Sequence, residues 1–502
     1  MDVKNLINGE WSPSCDGRTL ASVNPADSSD VVATVPASTN ADVDAAIEAA
    51  RSAFNKWRLV PAPKRGEILF RAAERLLREK DRLGRLVTRE MGKILPEGLG
   101  DAQEAIDMAY YMAGEGRRLS AETVPSELPD KDCKSVRVPI GVVAAITPWN
   151  FPIAIPSWKV LPALITGNTV VLKPSSYTAA CAYEFARIMH EAGLPPGVLN
   201  LVNGQGSAVG EYLACHKGAD CVSFTGSSAV GERLKSLLAG SRKDFSSETG
   251  GKNPIIVMDD AMMDLAVEGA LWGAFGTAGQ RCTAASRIIV HRDALARFTR
   301  KFVDRASKLK VGDGMDASTH VGPVINEEQL KKILGYVDIG KAEGATLALG
   351  GRRLSGGAYD KGYFIEPTIF TDVLPGMRIA QEEIFGPIVS IIGAEDFNDA
   401  IKIANGVEYG LAASIYTSDV NRSAEAEREL DAGIVYINAP TIGAEIQLPF
   451  GGAKRSGLGH KEAGGRGGAL DMFSKFRVIY RDFSGRLQKA QISDDKRSSK
   501  GS

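Results

Sequence analysis

From Val138 to about residue 260, short apolar runs rich in Val and Ile alternate with stretches of helical period, and this alternation limits the fold more than any other feature. A strand that is apolar on both faces must be covered on both faces, which parallel sheets achieve with crossover helices. The runs 142–146, 169–173, 198–202, 221–224 and 245–249 read as strands, with helices at 153–166, 177–192, 207–216 and 228–239. The pattern is that of a doubly wound α/β domain. A second alternating series has strands at 254–258, 287–291 and 434–438. A helix at 293–310 has Asp293 as cap and Leu295, Phe298, Phe302, Ala306 and Leu309 on one face, so a second α/β domain is expected.

Residues 41–115 read as packing helices, notably 41–57 and 64–80, where apolar residues recur every three or four positions. The apolar stretch 140–167 is long enough to cross a bilayer, but Pro148, Pro152, Pro156, Pro162, Asn150 and Lys159 interrupt it. It reads as strand, loop and buried helix. The polar, patternless tail from Gly485 reads as a mobile terminus.

At 502 residues, the chain needs more than one core. Lys plus Arg (60) cancels Asp plus Glu (61), and no basic run is interleaved with aromatics, which argues against nucleic acid as a partner. The N-terminus lacks the layout of a secretory signal, and the six cysteines show no CxxC spacing, which points to a reducing cytoplasm. The five histidines are scattered, and no metal site is expected.

Several strand ends carry residues with chemistry. Cys282 follows Gly279-Gln280-Arg281, and a neighbouring cation would lower a thiol's pKa and favour the nucleophilic thiolate. Most free cysteines are inert core residues, so the surroundings must decide. Glu248 begins Glu-Thr-Gly-Gly-Lys-Asn-Pro at the carboxyl end of a strand, where open α/β sheets bind ligands. On composition alone it would be a solvated loop acid. Asn150, between Pro148 and Pro152, is a rigid amide suited to an oxyanion, although turn asparagines are common. Lys173-Pro174-Ser175-Ser176 ends another strand. Gly204-x-Gly206-x-x-x-Gly210 is one residue longer than the dinucleotide fingerprint, and Phe224-Thr225-Gly226-Ser227 again places small residues before a helix. Three such strand ends favour a nucleotide. Glu382-Glu383-Ile384-Phe385-Gly386-Pro387 adds an acid pair, of a kind that is usually solvated.

Taken together, these segments resemble the aldehyde dehydrogenase superfamily from about residue 5 to 483. The resemblance rests on PWNFP (148–152), LKPS (172–175), FTGS (224–227), ETGGKNP (248–254), GQRC (279–282), EEIFGP (382–387) and PFGGAKRSGLG (449–459). It implies a cofactor domain (1–123 and 141–250) built on a five-stranded sheet and a catalytic domain (251–448). It also implies a small β flap for oligomerisation with bridging segments (124–140 and 449–485, using the strand 474–480) and a tail (486–502). It further implies Cys282 as nucleophile, Glu248 as base, and Asn150 with the Cys282 amide as oxyanion hole. NAD or NADP would be held by Ile146, Thr147, Pro148, Trp149, Lys173, Ser175, Ser176, Gly206, Gly210, Phe224, Thr225, Gly226, Ser227, Val230, Thr249, Gly250, Glu383 and Phe385. Assembly as a homodimer or homotetramer is expected.

Two departures refine this reading. Many NAD-preferring relatives carry Glu where this chain has Ser176, and its absence removes a charge that would repel a 2′-phosphate, which opens the way to NADP. The Arg by which succinate-semialdehyde enzymes hold a distal carboxylate is replaced by Trp158-Lys159. The pattern is most similar to dehydrogenases of α-ketoglutaric semialdehyde, with succinate-semialdehyde or broad-range activity as alternatives. Asn150, Trp158, Phe275, Arg281, Ile442 and Gln447 would meet the substrate. Rival readings of other classes are a thiol hydrolase, for which His291 or His320 would have to partner Cys282, and a non-catalytic binding protein.

Overall fold

The computed structural model describes residues 1–489 and 491, so most of the expected tail lies outside the described residues. The first sheet contains β1 (Val142–Ile146), β2 (Thr169–Lys173), β3 (Leu199–Leu201), β4 (Cys221–Thr225) and β5 (Asp244–Glu248), all parallel, in the order β3-β2-β1-β4-β5. The order reverses between β1 and β4, which opens a crevice beyond their carboxyl ends. The five expected parallel strands are present. The hairpin Asn5–Ile7/Glu10–Ser12 and the short strand Gly457–Leu458 extend the sheet antiparallel at its two edges.

Helix Ala154–Thr166 crosses from β1 to β2 and is buried along its whole length, because helices Ala62–Arg78 and Leu95–Glu115 pack over its outer side. This explains why the segment is apolar all round. The extra residue in the GxGxxxG run is absorbed as a π-helical turn, Gly206–Gly210, before the short helix Glu211–Cys215.

Strand β5 leads after Thr249-Gly250-Gly251-Lys252 into β6 (Asn253–Val257), the first strand of the second sheet. With β7 (Ala285–His291), β8 (Thr368–Thr371), β9 (Ile388–Ala394), β10 (Ala412–Tyr416) and β11 (Ile434–Ile437), it forms a parallel sheet ordered β8-β9-β7-β6-β10-β11. The helix expected at 293–310 spans Arg292–Ala306, and its cap is His291, which accepts from the Asp293 N–H at 3.3 Å. Asp293 therefore lies one residue inside the turn it was expected to cap.

The flap pairs Lys131–Pro139 antiparallel with Ser474–Asp482, as expected, and Thr123–Val124 adds a third strand. Phe476, Val478 and Tyr480 stand exposed on one face of it. No described helix is long and apolar enough to cross a membrane.

Candidate active site

Glu248 ends β5 with its side chain 2% exposed. One carboxylate oxygen accepts from the Gly452 N–H at 2.8 Å, and glycines pack round the rest. A Cβ at Gly451 would lie 2.2 Å from Oε1, and one at Gly457 would lie 3.1 Å from Oε2. Burial, and after it the nearby Glu462 carboxylate, push Glu248 well above the usual carboxylate range, towards its neutral form.

Glu462 is itself buried. It accepts from Lys159, also buried, and from Thr225 Oγ1 at 2.7 Å, while Lys159 donates to Ser223 Oγ at 2.9 Å. A buried polar chain thus runs beside Glu248 from Glu462 through Lys159 to Ser223. Thr225, expected at the cofactor, turns its hydroxyl into this chain.

Cys282 lies on the loop between helix Met263–Phe275 and β7. Three consecutive residues of that loop, Thr277, Ala278 and Gly279, are left-handed, with φ of 53°, 53° and 66°. For the two residues that carry a Cβ this costs about 1–2 kcal/mol each. Side chains hold the segment from several directions. Gln280 accepts from the Ile325 N–H at 2.9 Å, Asn150 Nδ2 donates to the Gln280 carbonyl at 3.1 Å, and Asn253 Nδ2 donates to the Cys282 carbonyl at 2.8 Å. Asn150 is thereby fixed beside the cysteine loop, 3% exposed, with its other N–H unused by that bond.

Arg281 departs from the expected role. Its guanidinium turns to Glu97 (3.1 Å) and Thr277 Oγ1 (2.9 Å), and lies over the rings of Phe151 and Trp272. The thiol gains no stabilisation from it. Burial first, then the carboxylates of Glu383, Glu248 and Glu462, push Cys282 up to about 12. Cys282 therefore rests as a neutral thiol.

At the crevice of the first sheet, Ile146 and Thr147 lead into Pro148 and Trp149, and the Trp149 ring meets Phe385 edge-on at 5.4 Å across the two domains. Phe385 is left-handed (φ 60°), and its carbonyl accepts from Gln329 Nε2 at 2.8 Å. Lys173 has no ion-pair partner among the described residues, and burial lowers it to about 8. Its stem runs along the π turn, 3.9 Å from where a Cβ of Gly206 or Gly210 would lie. Ser227 caps helix Ser228–Leu238 by accepting from the Val230 N–H, and Ser175 caps the turn that contains Ser176. The Phe224 ring fills the space beside Gly226, and the Thr249 hydroxyl is bound to the Arg455 carbonyl. Glu383 accepts from the Gly251 N–H at 3.1 Å and lies so close to Gly250 that a Cβ there would be 1.9 Å from its oxygen. Its neighbour Glu382 is instead tied to Arg378 and Tyr336. An unpaired buried cation, a helix N-terminus and side-chain-free backbone suit a dinucleotide.

Of the expected substrate residues, Trp158 is 5% exposed, packs 5.0 Å from Phe450 in the apolar cluster that Cys282 touches, and has an indole N–H without a partner. Ile442 is buried, and Gln447 is exposed, bonded to Glu445. Phe275 is a correction: it stacks on Phe302 at 6.0 Å inside the core packed on the second sheet. His291 and His320 are both engaged by backbone N–H groups, from Asp293 and Lys310 respectively. Sequence reasoning missed Glu462, Glu97, Gln280 and Gln329. Lys159 did carry a signal, since a lone cation in an otherwise apolar helix requires a buried acid.

Residues 11–479 match the aldehyde dehydrogenase family. The chain is 43% identical over 476 residues to an alpha-ketoglutaric semialdehyde dehydrogenase of Bacillus subtilis, covering 95% of this chain and 97% of that one. It is 46% identical over 477 residues to an alpha-ketoglutarate semialdehyde dehydrogenase of Haloferax volcanii (95% and 98%). A crystal structure of betaine aldehyde dehydrogenase from Staphylococcus aureus in complex with NAD+ superposes with TM-score 0.93 at 38% identity, covering 98% of this chain and 97% of that one.

Proposed function

The chain belongs to the aldehyde dehydrogenase family and oxidises aldehydes with a nicotinamide dinucleotide, and from that premise we propose that its substrate is α-ketoglutaric semialdehyde, processed by Cys282, Glu248 and Asn150. The observations that support the assignment of residues are the Asn150 amide bonded to the clamped loop that carries the half-buried Cys282, and the Glu248 carboxyl in its glycine cradle, whose charge weighs on the Cys282 thiol.

The sulfur attacks the aldehyde carbon and a C–S bond forms, the carbonyl π pair becomes an alkoxide, and the ionised fraction of Glu248 takes the thiol proton and returns it to solvent. The free Asn150 N–H and the Cys282 backbone N–H hold that oxyanion, about 3 kcal/mol per donor in comparable sites. The bound dinucleotide supplies the acceptor for the hydride that leaves this carbon. Lys173, Ser227, Glu383 and the backbone of 206–210 and 225–227 would hold the dinucleotide, with Trp149 and Phe385 flanking it. A thioester remains on Cys282. The ionised fraction of Glu248 takes a proton from water, the water oxygen adds to the thioester carbon, the C–S bond breaks, and a carboxylic acid is released. The proton goes from Glu248 to the departing Cys282 sulfur, which restores the thiol.

The substrate assignment draws on the names of the two relatives and on the unpartnered Trp158 N–H, which offers a donor to an oxygen on the aldehyde's tail. With no carboxylate at Ser176, NADP is accepted as well as NAD. The exposed flap face of Phe476, Val478 and Tyr480 supports a homodimer or homotetramer, and six unpaired cysteines support a reducing, cytoplasmic setting. The test is reduced-nicotinamide absorbance with NAD and NADP over a panel of aldehydes. We expect kcat/KM for α-ketoglutaric semialdehyde to exceed that for succinate semialdehyde and benzaldehyde by about tenfold or more. The reverse ranking would refute the substrate, and silence with every aldehyde would refute the reaction.

A further inference from the structure

Glu97 stands in the first turn of helix Leu95–Glu115, on the side of the cleft opposite the second sheet, and is 7% exposed. Its Oε1 accepts from the Thr277 N–H at 2.7 Å and from Arg281 Nη2 at 3.1 Å, and Arg281 Nε returns a bond to Thr277 Oγ1 at 2.9 Å. Among the described residues it is the one carboxylate hydrogen-bonded to the 276–282 segment. The bond to Thr277 falls on the first of the three successive left-handed residues, two of which carry a Cβ. Such a turn persists only where its surroundings over-determine it.

We propose that Glu97 is a positioning residue for Cys282: it locks the left-handed turn 277–279, so that the thiol and the backbone N–H of Cys282 face the Asn150 amide. The inference rests on the reading of Cys282 as the nucleophile. Without the carboxylate, the buried Thr277 N–H loses its acceptor and Arg281 its ion-pair partner, and the bonds at Gln280, Asn150 and Asn253 are left to hold the strained turn alone. The loop then relaxes towards right-handed backbone and carries Gln280, the anchor of Asn150, out of register.

The experiment compares Glu97→Ala, Glu97→Gln and the double variant Glu97→Ala/Ala278→Gly with the parent, and with Cys282→Ser. The readouts are the iodoacetamide alkylation rate of Cys282 by mass spectrometry, the pre-steady-state burst of reduced cofactor, the cofactor Kd and the melting temperature. We expect Glu97→Ala to slow the burst about a hundredfold, the scale of an ångström-sized misplacement, while cofactor Kd stays near the parent value. Glu97→Gln, which keeps an acceptor for Thr277, should lose less. Glycine at 278 adopts the left-handed turn without strain, so the double variant should recover about tenfold over Glu97→Ala. Parent-like burst and alkylation rates in folded Glu97→Ala or Glu97→Gln, even with a lowered melting temperature, would overturn the proposal. So would the absence of any recovery by Ala278→Gly. A surviving burst in Cys282→Ser would instead overturn the nucleophile reading, whatever Glu97 does.

Discussion

The two domains contribute to the cleft in opposite ways. The first sheet presents relaxed strand ends: small residues, helix N-termini and one unpaired lysine, with little side chain to move. The second presents a strained loop that keeps its shape because side chains of the first domain, Asn150 and Glu97, hold it. The strand ends around Lys173 are thus relaxed, whereas the Cys282 loop keeps its geometry only where the two sheets are packed together. Changes to the Cys282 loop and to the groups proposed to face or hold it should strike chemistry and spare cofactor affinity, and changes at Lys173 and its neighbouring strand ends should do the reverse.

The largest break in that contrast should come from Cys282→Ser. Turnover should fall on the order of 10⁴-fold or more while cofactor Kd, measured by fluorescence quenching, is unchanged. A matched loss of affinity would merge the two roles. Glu248→Gln should lower steady-state turnover about a thousandfold yet leave the burst, with the acyl-enzyme visible by mass spectrometry. An unchanged steady state would remove Glu248 from the base role. Asn150→Ala belongs to the first domain in sequence but acts on chemistry, and should cut kcat by about 10²–10³ with a small change in KM. A change confined to KM would assign it to binding instead.

The smallest effect should fall on affinity alone. Lys173 is held at about 8, so it is charged below that pH and loses its proton as pH rises through it. Cofactor Kd should therefore rise above pH 8, and Lys173→Met should weaken binding about tenfold at pH 7 and abolish this pH dependence. A pH-independent Kd in the parent would separate Lys173 from the cofactor.

Legibility in the sequence follows the same division. Strands β1, β2, β4 and β5 could be read to within a residue or so, because continuous apolar runs between helices leave few alternatives. The hairpins before residue 36 were missed, since their short, half-exposed strands show no sustained period. Cys282, Glu248 and Asn150 stood out through motifs. Their supports did not, because Glu97, Glu462 and Gln280 reach the cleft from sequence-distant elements by side-chain contacts that no local pattern encodes. Arg281 was misread because adjacency in sequence says nothing about where a long side chain points. Phe275 was misplaced because its helix buries a face in the core as well as leading to the cleft.

The four-residue passage from β5 to β6 has a consequence for recovery after thermal opening. Glu248 and Asn253, the residue that grips the Cys282 carbonyl, are five positions apart in the chain. However far the two sheets swing apart, these ends stay within about 17 Å of one another. Glu248 and the anchor of the Cys282 loop therefore behave as a tethered pair at high effective concentration, and finding each other again is a local search within one molecule.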